Sequence, residues 1–152
     1  MKKTLKGKCV VPGKCEGEVI VTSQSVSFWG GVDPGTGRVN DPRHELFGES
    51  ISGKVLAFPF GKGSSTGSLI MLELVRTGRA PAGMVTIRIE PILAAGPIVS
   101  KYFYGKEVPM ITLGEDEFSM LKTGQYAVVN ATEGCVVING TKIQKNDLPR
   151  RG

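Results

Sequence analysis

Hydrophobic positions fall into two patterns along this chain, and the change between them marks its elements. Residues 17–22 (Gly-Glu-Val-Ile-Val-Thr) are rich in β-branched side chains and predict a strand. At 25–29, Val26 and Phe28 alternate with Ser25 and Ser27, which predicts another. The run Val55-Leu56-Ala57-Phe58-Pro59-Phe60 reads as a buried strand. A turn of glycines and hydroxyls follows, and then an almost wholly apolar stretch, 69–75, predicts a helix over about 65–76. Gly78 suits the position just past its end, and Pro81 cannot extend it. Leu69, Ile70, Met71, Leu72, Leu74 and Val75 cover most of that helix, so it should be buried on more than one side. Residues 84–90 predict a strand, 91–104 a second helix entered by Pro91, 108–112 a strand and 116–122 a short helical turn. The last third reads as a meander: strand 125–129, turn 130–134, strand 135–138, a hairpin turn at Asn139-Gly140 and strand 141–143. Near the start, residues 10–14 read as a strand end and a turn.

This order, β-rich, then βα twice, then β, predicts a mixed α/β fold, strand-rich, with two to three helices. Helices are too few for a doubly wound sheet. No linker or internal repeat divides residues 1–152, so a single domain is expected, with 145–152 a frayed polar tail. Glycine is the compositional deviation: 21 residues, about twice average usage, favouring many tight turns. Four glycines and a proline in 30–37 argue against regular structure and predict a long, shaped loop of the kind that carries function. A second polar loop, 40–48, holds the only histidine, His44.

The formal charge is +5, but no basic run is interleaved with aromatics, so nucleic acid is not the expected partner. The positive charges gather at the two ends, including Lys2, Lys3, Lys6 and Lys8, where docking on an acidic partner or plain solubility would explain them. Cys9, Cys15 and Cys135 form no CxxC pair, which excludes a metal knuckle and favours free thiols in a reducing compartment. The N-terminal lysines precede no apolar segment of a signal peptide, and no stretch approaches the ~20 apolar residues of a membrane span. A cytoplasmic location is therefore the expectation.

The chemistry concentrates in Gly61-Lys62-Gly63-Ser64-Ser65-Thr66-Gly67-Ser68, between a strand and a helix. In that setting free backbone N–H groups point at an anion, and glycine lets the backbone approach it. A single N-cap needs only one serine, so the surplus of hydroxyls favours a ligand site over a capped turn. It is neither a Walker A loop, since the lysine precedes the serines, nor a Gly-x-Ser-x-Gly elbow. Taken on residue chemistry, an anion-binding turn and a well-capped one both stay open. His44, with Asp33, Asp41 and Glu45 nearby in sequence, is either a surface histidine or the phosphoryl acceptor of a carrier domain; too few ligands accompany it for a metal site.

Several spaced motifs together resemble the aconitase X family. They are Ser27-Phe28-Trp29-Gly30-Gly31-Val32-Asp33-Pro34, Thr36-Gly37-Arg38-Val39, Asp41, His44, Gly53-Lys54-Val55-Leu56, Gly61-Lys62-Gly63-Ser64-Ser65 and Glu90-Pro91-Ile92-Leu93. The resemblance spans about 17–111 and implies an aconitase-like swivelling β/β/α domain, the small subunit of an iron–sulfur hydro-lyase. A large subunit would bind the cluster, with no metal on this chain, and the pair would dehydrate a small anionic hydroxy acid such as 5-phosphomevalonate or cis-3-hydroxy-L-proline. By motif position Ser64 matches the serine general base, with Gly63, Ser65, Thr66 and Lys62 holding substrate. Aconitase has arginine after the two serines; here Thr66 stands there, so a cation must come from Lys62 or the partner. A phosphohistidine-type carrier using His44, or a non-catalytic anion-binding module, are the alternatives.

Overall fold

A computed structural model describes residues 2–26, 31–61, 65–88, 97–98 and 105–139. Its two longest strands each change partners midway, and this closes the sheet. Strand β1 (Lys2–Val11) pairs antiparallel with β9 (Cys135–Asn139) through residues 2–6, then antiparallel with β7 (Met110–Leu113) through residues 7–11. Strand β2 (Lys14–Val21) pairs antiparallel with β8 (Tyr126–Asn130), then parallel with β5 (Val55–Ala57). Strand β6 (Gly83–Thr86) runs parallel to both β5 and β7. The result is a closed barrel in the order β1-β7-β6-β5-β2-β8-β9, with an antiparallel half and a largely parallel half.

The changeover in β1 depends on a glycine. The Gly7 N–H donates to the Gly134 carbonyl at 2.8 Å, and a Cβ at Gly7 would stand 2.0 Å from the Thr112 carbonyl oxygen. Only a residue without a side chain lets three strands meet so closely.

Strand alternation then sorts two cores. Val19, Val55, Ala57, Val85 and Ile111 point into the barrel and meet Val129 and Val136 from the antiparallel half. Their neighbours Ile20, Leu56, Phe58, Met84 and Met110 point outward and are covered by helix α1 (Ser65–Arg76), through Met71, Leu74 and Val75. Both faces of the parallel strands are thus buried, which is why 55–60 shows no polar alternation.

Helix α1 spans the residues expected of it. At its end the Gly78 N–H donates to Val75 O (3.1 Å), and Arg79 N–H donates to Leu74 O (2.8 Å). With Gly78 at φ +74°, this is a Schellman cap. Lys106 Nζ adds a donor to Val75 O at 3.3 Å, a cation where the helix dipole is negative. Burial on more than one side does not hold throughout: Leu69 is 62% exposed, so the second turn of α1 begins with exposed apolar surface.

Other expectations need correction. The lysine-rich start is the first half of β1, where burial of Leu5 between outward Lys3 and Lys6 supplies the missing strand signal. Residues 30–37 are not wholly irregular: β3 (Val32–Asp33) and β4 (Arg38–Val39) form a small hairpin. Its turn is tied by Asp33 Oδ1, which accepts from Gly35 N–H at 2.8 Å. The short helical turn is α2 (Glu115–Phe118). Of the expected strand over 25–29, Val26 forms a bridge and 27–29 lie outside the described residues. Of the expected helix 91–104 only 97–98 are described, as helical, and the hairpin at 139–140 with strand 141–143 also falls outside.

Candidate functional site

Strands β2, β5, β6 and β7 run parallel, so their carboxyl ends open on one rim, where sheets of this kind bind ligands. The glycine-and-hydroxyl turn begins at the end of β5. Gly61 is buried and bridges Val26 in parallel, and the Val26 N–H donates to Phe60 O at 3.3 Å. Lys62, Gly63 and Ser64 lie outside the described residues; Ser65 opens α1 and Thr66 follows it. The first N–H groups of a helix have no intrahelical acceptor and carry the positive end of its dipole. No acidic residue stands in the first turn of α1 to answer that charge. A helix start of this kind can receive an anion.

Beneath the rim lies a row of hydroxyls that sequence reading missed. Four polar side chains are buried among the described residues, and three of them are Thr22, Thr86 and Thr112. Thr86 and Thr112 are ladder partners on β6 and β7, and Thr22 directly follows Val21, the partner of Ala57. All three sit at strand carboxyl ends. Thr22 donates to Glu45 Oε1, and Thr112 Oγ1 approaches Lys8 O at 3.5 Å. Thr86 Oγ1, fully buried, has no partner, alone among the buried side-chain polar atoms of the described residues. An orphaned hydroxyl of this kind costs about 1–3 kcal/mol. Threonine is a common strand former, so only the topology reveals the row.

A cation also stands at the rim. The N–H groups of Ile87 and Arg88 both donate to Pro59 O, at 3.0 and 3.1 Å, folding the end of β6 onto the segment that leads to the turn. The Arg88 guanidinium then lies 5.8 Å from the Phe60 ring centroid, a cation–π contact. Arg88 was not among the residues singled out from sequence, because nothing local marks it.

The histidine loop has a structural task. His44 Nδ1 accepts from Leu46 N–H at 3.1 Å, which puts the proton on Nε2, 3.1 Å from Ser25 O. Neither ring nitrogen is available to a phosphoryl group without breaking a bond to the backbone. Glu45 reinforces the tie: its carboxylate accepts from the Thr22 hydroxyl and, at 3.0 Å, from Ser23 N–H. The Thr22 bond first, then the Ser23 bond, hold the Glu45 carboxyl below its ordinary pKa. These contacts fix the segment after β2 against the loop that carries His44.

The described residues do not suit an iron–sulfur cluster. No three His, Cys, Asp or Glu side chains among them gather to hold a metal. The Cys15 thiol is pushed up to about 12, by burial and then by Glu16, so it resists the deprotonation a metal ligand requires. Also among the described residues, no helix is long and apolar enough to cross a membrane.

Comparison with known proteins bears on the family and the fold. The family model for the aconitase X swivel domain matches residues 4–138. A phosphomevalonate dehydratase small subunit of Thermococcus gammatolerans is 46% identical over 134 residues, covering 88% of this chain and 96% of that one. A cis-3-hydroxy-L-proline dehydratase of Hypocrea jecorina is 39% identical over 125 residues, 82% of this chain but 21% of that longer one. The crystal structure of Thermococcus kodakaraensis aconitase X in its holo form superposes with a TM-score of 0.81 at 42% identity, covering 90% of this chain and 98% of that chain.

Proposed function

This chain belongs to the aconitase X swivel-domain family, and from that premise we propose that it is the small subunit of a hydro-lyase, active only with a large subunit. The reaction is dehydration of a small anionic hydroxy acid, 5-phosphomevalonate or cis-3-hydroxy-L-proline being the chemistries named in its relatives. One observation carries the reading: a protein called a dehydratase small subunit aligns with this chain over nearly its whole length. Two apolar side chains that flank the turn in sequence support the need for a partner. Phe60 and Leu69 are 39% and 62% exposed, surface that a second protein would cover.

In this reading Ser64 is the general base. It takes the proton from the carbon beside the one that bears the leaving hydroxyl. Serine is a poor base in water because its alkoxide is unstable there. Helix N–H donors and exclusion of water stabilise that alkoxide, and α1 supplies the donors. Closing the small subunit over the large one would exclude the water. Gly63, Ser65, Thr66 and Lys62 hold the substrate through backbone, hydroxyl and ammonium groups. The iron–sulfur cluster is assigned to the large subunit; among the described residues no three side chains that could ligate a metal gather.

Co-expression with the cluster-bearing large subunit tests the reading. The purified pair should dehydrate one of the two hydroxy acids, and this chain alone should dehydrate neither. A pair that assembles with its cluster intact yet acts on neither would contradict it.

A further inference from the structure

Beyond β2, residues 22–26 run beside the continuation of β5 and are bonded to it at their two ends. Thr22 N–H donates to Ala57 O at 3.0 Å, and Val26 N–H donates to Phe60 O at 3.3 Å, where Val26 also bridges Gly61. In the facing run Pro59 has no N–H to give, and its carbonyl already accepts from Ile87 and Arg88. The middle of the segment therefore needs partners from elsewhere.

The loop over 40–48 supplies them, one residue after another. The Glu45 carboxylate accepts from the Thr22 hydroxyl and, at 3.0 Å, from Ser23 N–H. Glu45 N–H donates to Gln24 Oε1 at 2.8 Å, and His44 Nε2–H donates to Ser25 O at 3.1 Å. Each of residues 22–25 is thus tied to His44 or Glu45. The loop is itself anchored. Leu46 is buried in the same core as Val26, its N–H donates to His44 Nδ1 at 3.1 Å, and Gly48 N–H donates to Val39 O at 2.9 Å.

We propose that His44 and Glu45 are positioning residues: by clamping residues 22–25 they set the Val26–Gly61 bridge, the point from which the chain enters the glycine-and-hydroxyl turn. Gly61 begins that turn and Ser65 opens α1. Fixing Gly61 limits the conformations open to the three residues between them. This explains why a histidine whose two ring nitrogens are both bonded to backbone stands so near the proposed site in sequence.

The two bonds of His44 can be cut separately. His44→Asn keeps an acceptor for the N–H two residues on, as in an Asx turn, but is too short to reach Ser25 O. His44→Gln keeps a donor for Ser25 O and gives up the Leu46 bond. In the full chain, His44→Asn should shift the Val26 and Gly61 amide resonances and speed hydrogen exchange at Val26 roughly tenfold, with the β8 amides unchanged. Glu45→Gln should do the same to a lesser degree, so the answer does not hang on one variant. Turnover enters through the hydro-lyase reading, on which this inference rests. In the two-subunit complex His44→Asn should lower kcat roughly tenfold with KM within about twofold, and His44→Gln should retain most of the wild-type kcat.

Unchanged Val26 and Gly61 amides in both His44→Asn and Glu45→Gln overturn the proposal. So does full turnover in a His44→Asn complex, or an equal loss of kcat in His44→Asn and His44→Gln, which would give the histidine a role in folding alone. If the wild-type complex dehydrates neither hydroxy acid while Val26 and Gly61 respond as expected, the hydro-lyase reading fails and the clamp stands.

Discussion

The two halves of the barrel are made of short strands with opposite exposure. In β8, burial alternates: Ala127 and Val129 are buried, while Tyr126, Val128 and Asn130 are partly open. In β5, β6 and β7 every residue is buried. The antiparallel half has one wet face and tolerates polar residues there. The parallel half, covered by α1 outside and by the barrel core inside, has no wet face. A polar side chain in that half needs a reason, and its two threonines, Thr86 and Thr112, stand side by side at the carboxyl-end rim, where the proposed site lies. The contrast separates a half with one open face from a half buried on both.

The largest expected effect tests that separation by stability. Phe58→Ala, in the doubly covered half, should destabilise by about 3–5 kcal/mol, whereas Val128→Ala on the open face of β8 should stay within about 1 kcal/mol. Denaturant unfolding would show it; equal losses would erase the distinction. Next comes the joint between the halves. Gly7→Ala forces a Cβ against the Thr112 carbonyl and should lose about 1–3 kcal/mol, read as a lower unfolding midpoint.

Thr86→Val has the opposite sign. Replacing an orphaned buried hydroxyl with a methyl group should stabilise the chain by about 1 kcal/mol. Turnover of the complex should fall at the same time if the hydroxyl serves the site. A gain in stability with full turnover would show that the rim has no use for it.

The smallest effect concerns acid. The Glu45 carboxyl has its folded pKa lowered from 4.5, so its contribution is complete above that value and is lost as pH falls through the folded one. Because the carboxylate is exposed, solvent keeps the contribution small. Glu45→Gln should flatten this part of the stability–pH curve, and an unchanged slope would remove Glu45 from the account.

These regions also differ in how well sequence revealed them. Helix α1 was legible to its ends because Gly78 and Pro81 punctuate it locally. The buried runs of β5 and β6 and the C-terminal pair β8 and β9 announced themselves through β-branched and apolar content. Strand β1 was half hidden because Lys2, Lys3, Lys6 and Lys8 look like a solvated tail until Leu5 is seen in the core. Barrel closure was invisible, since it rests on pairings more than 100 residues apart, such as Lys6 with Cys135. The serine turn stood out through local composition. Arg88 and the threonine row did not, because strand pairing alone brings Arg88 to Phe60 and Thr86 to Thr112.

The most direct measurement is turnover of the reconstituted two-subunit enzyme carrying Ser64→Ala. The complex should assemble as the wild type does, and kcat should fall by roughly 10²–10⁴, the range a general base contributes. Near-normal turnover in an intact complex would contradict the account, and loss of turnover in Ser65→Ala alone would move the base to the neighbouring serine.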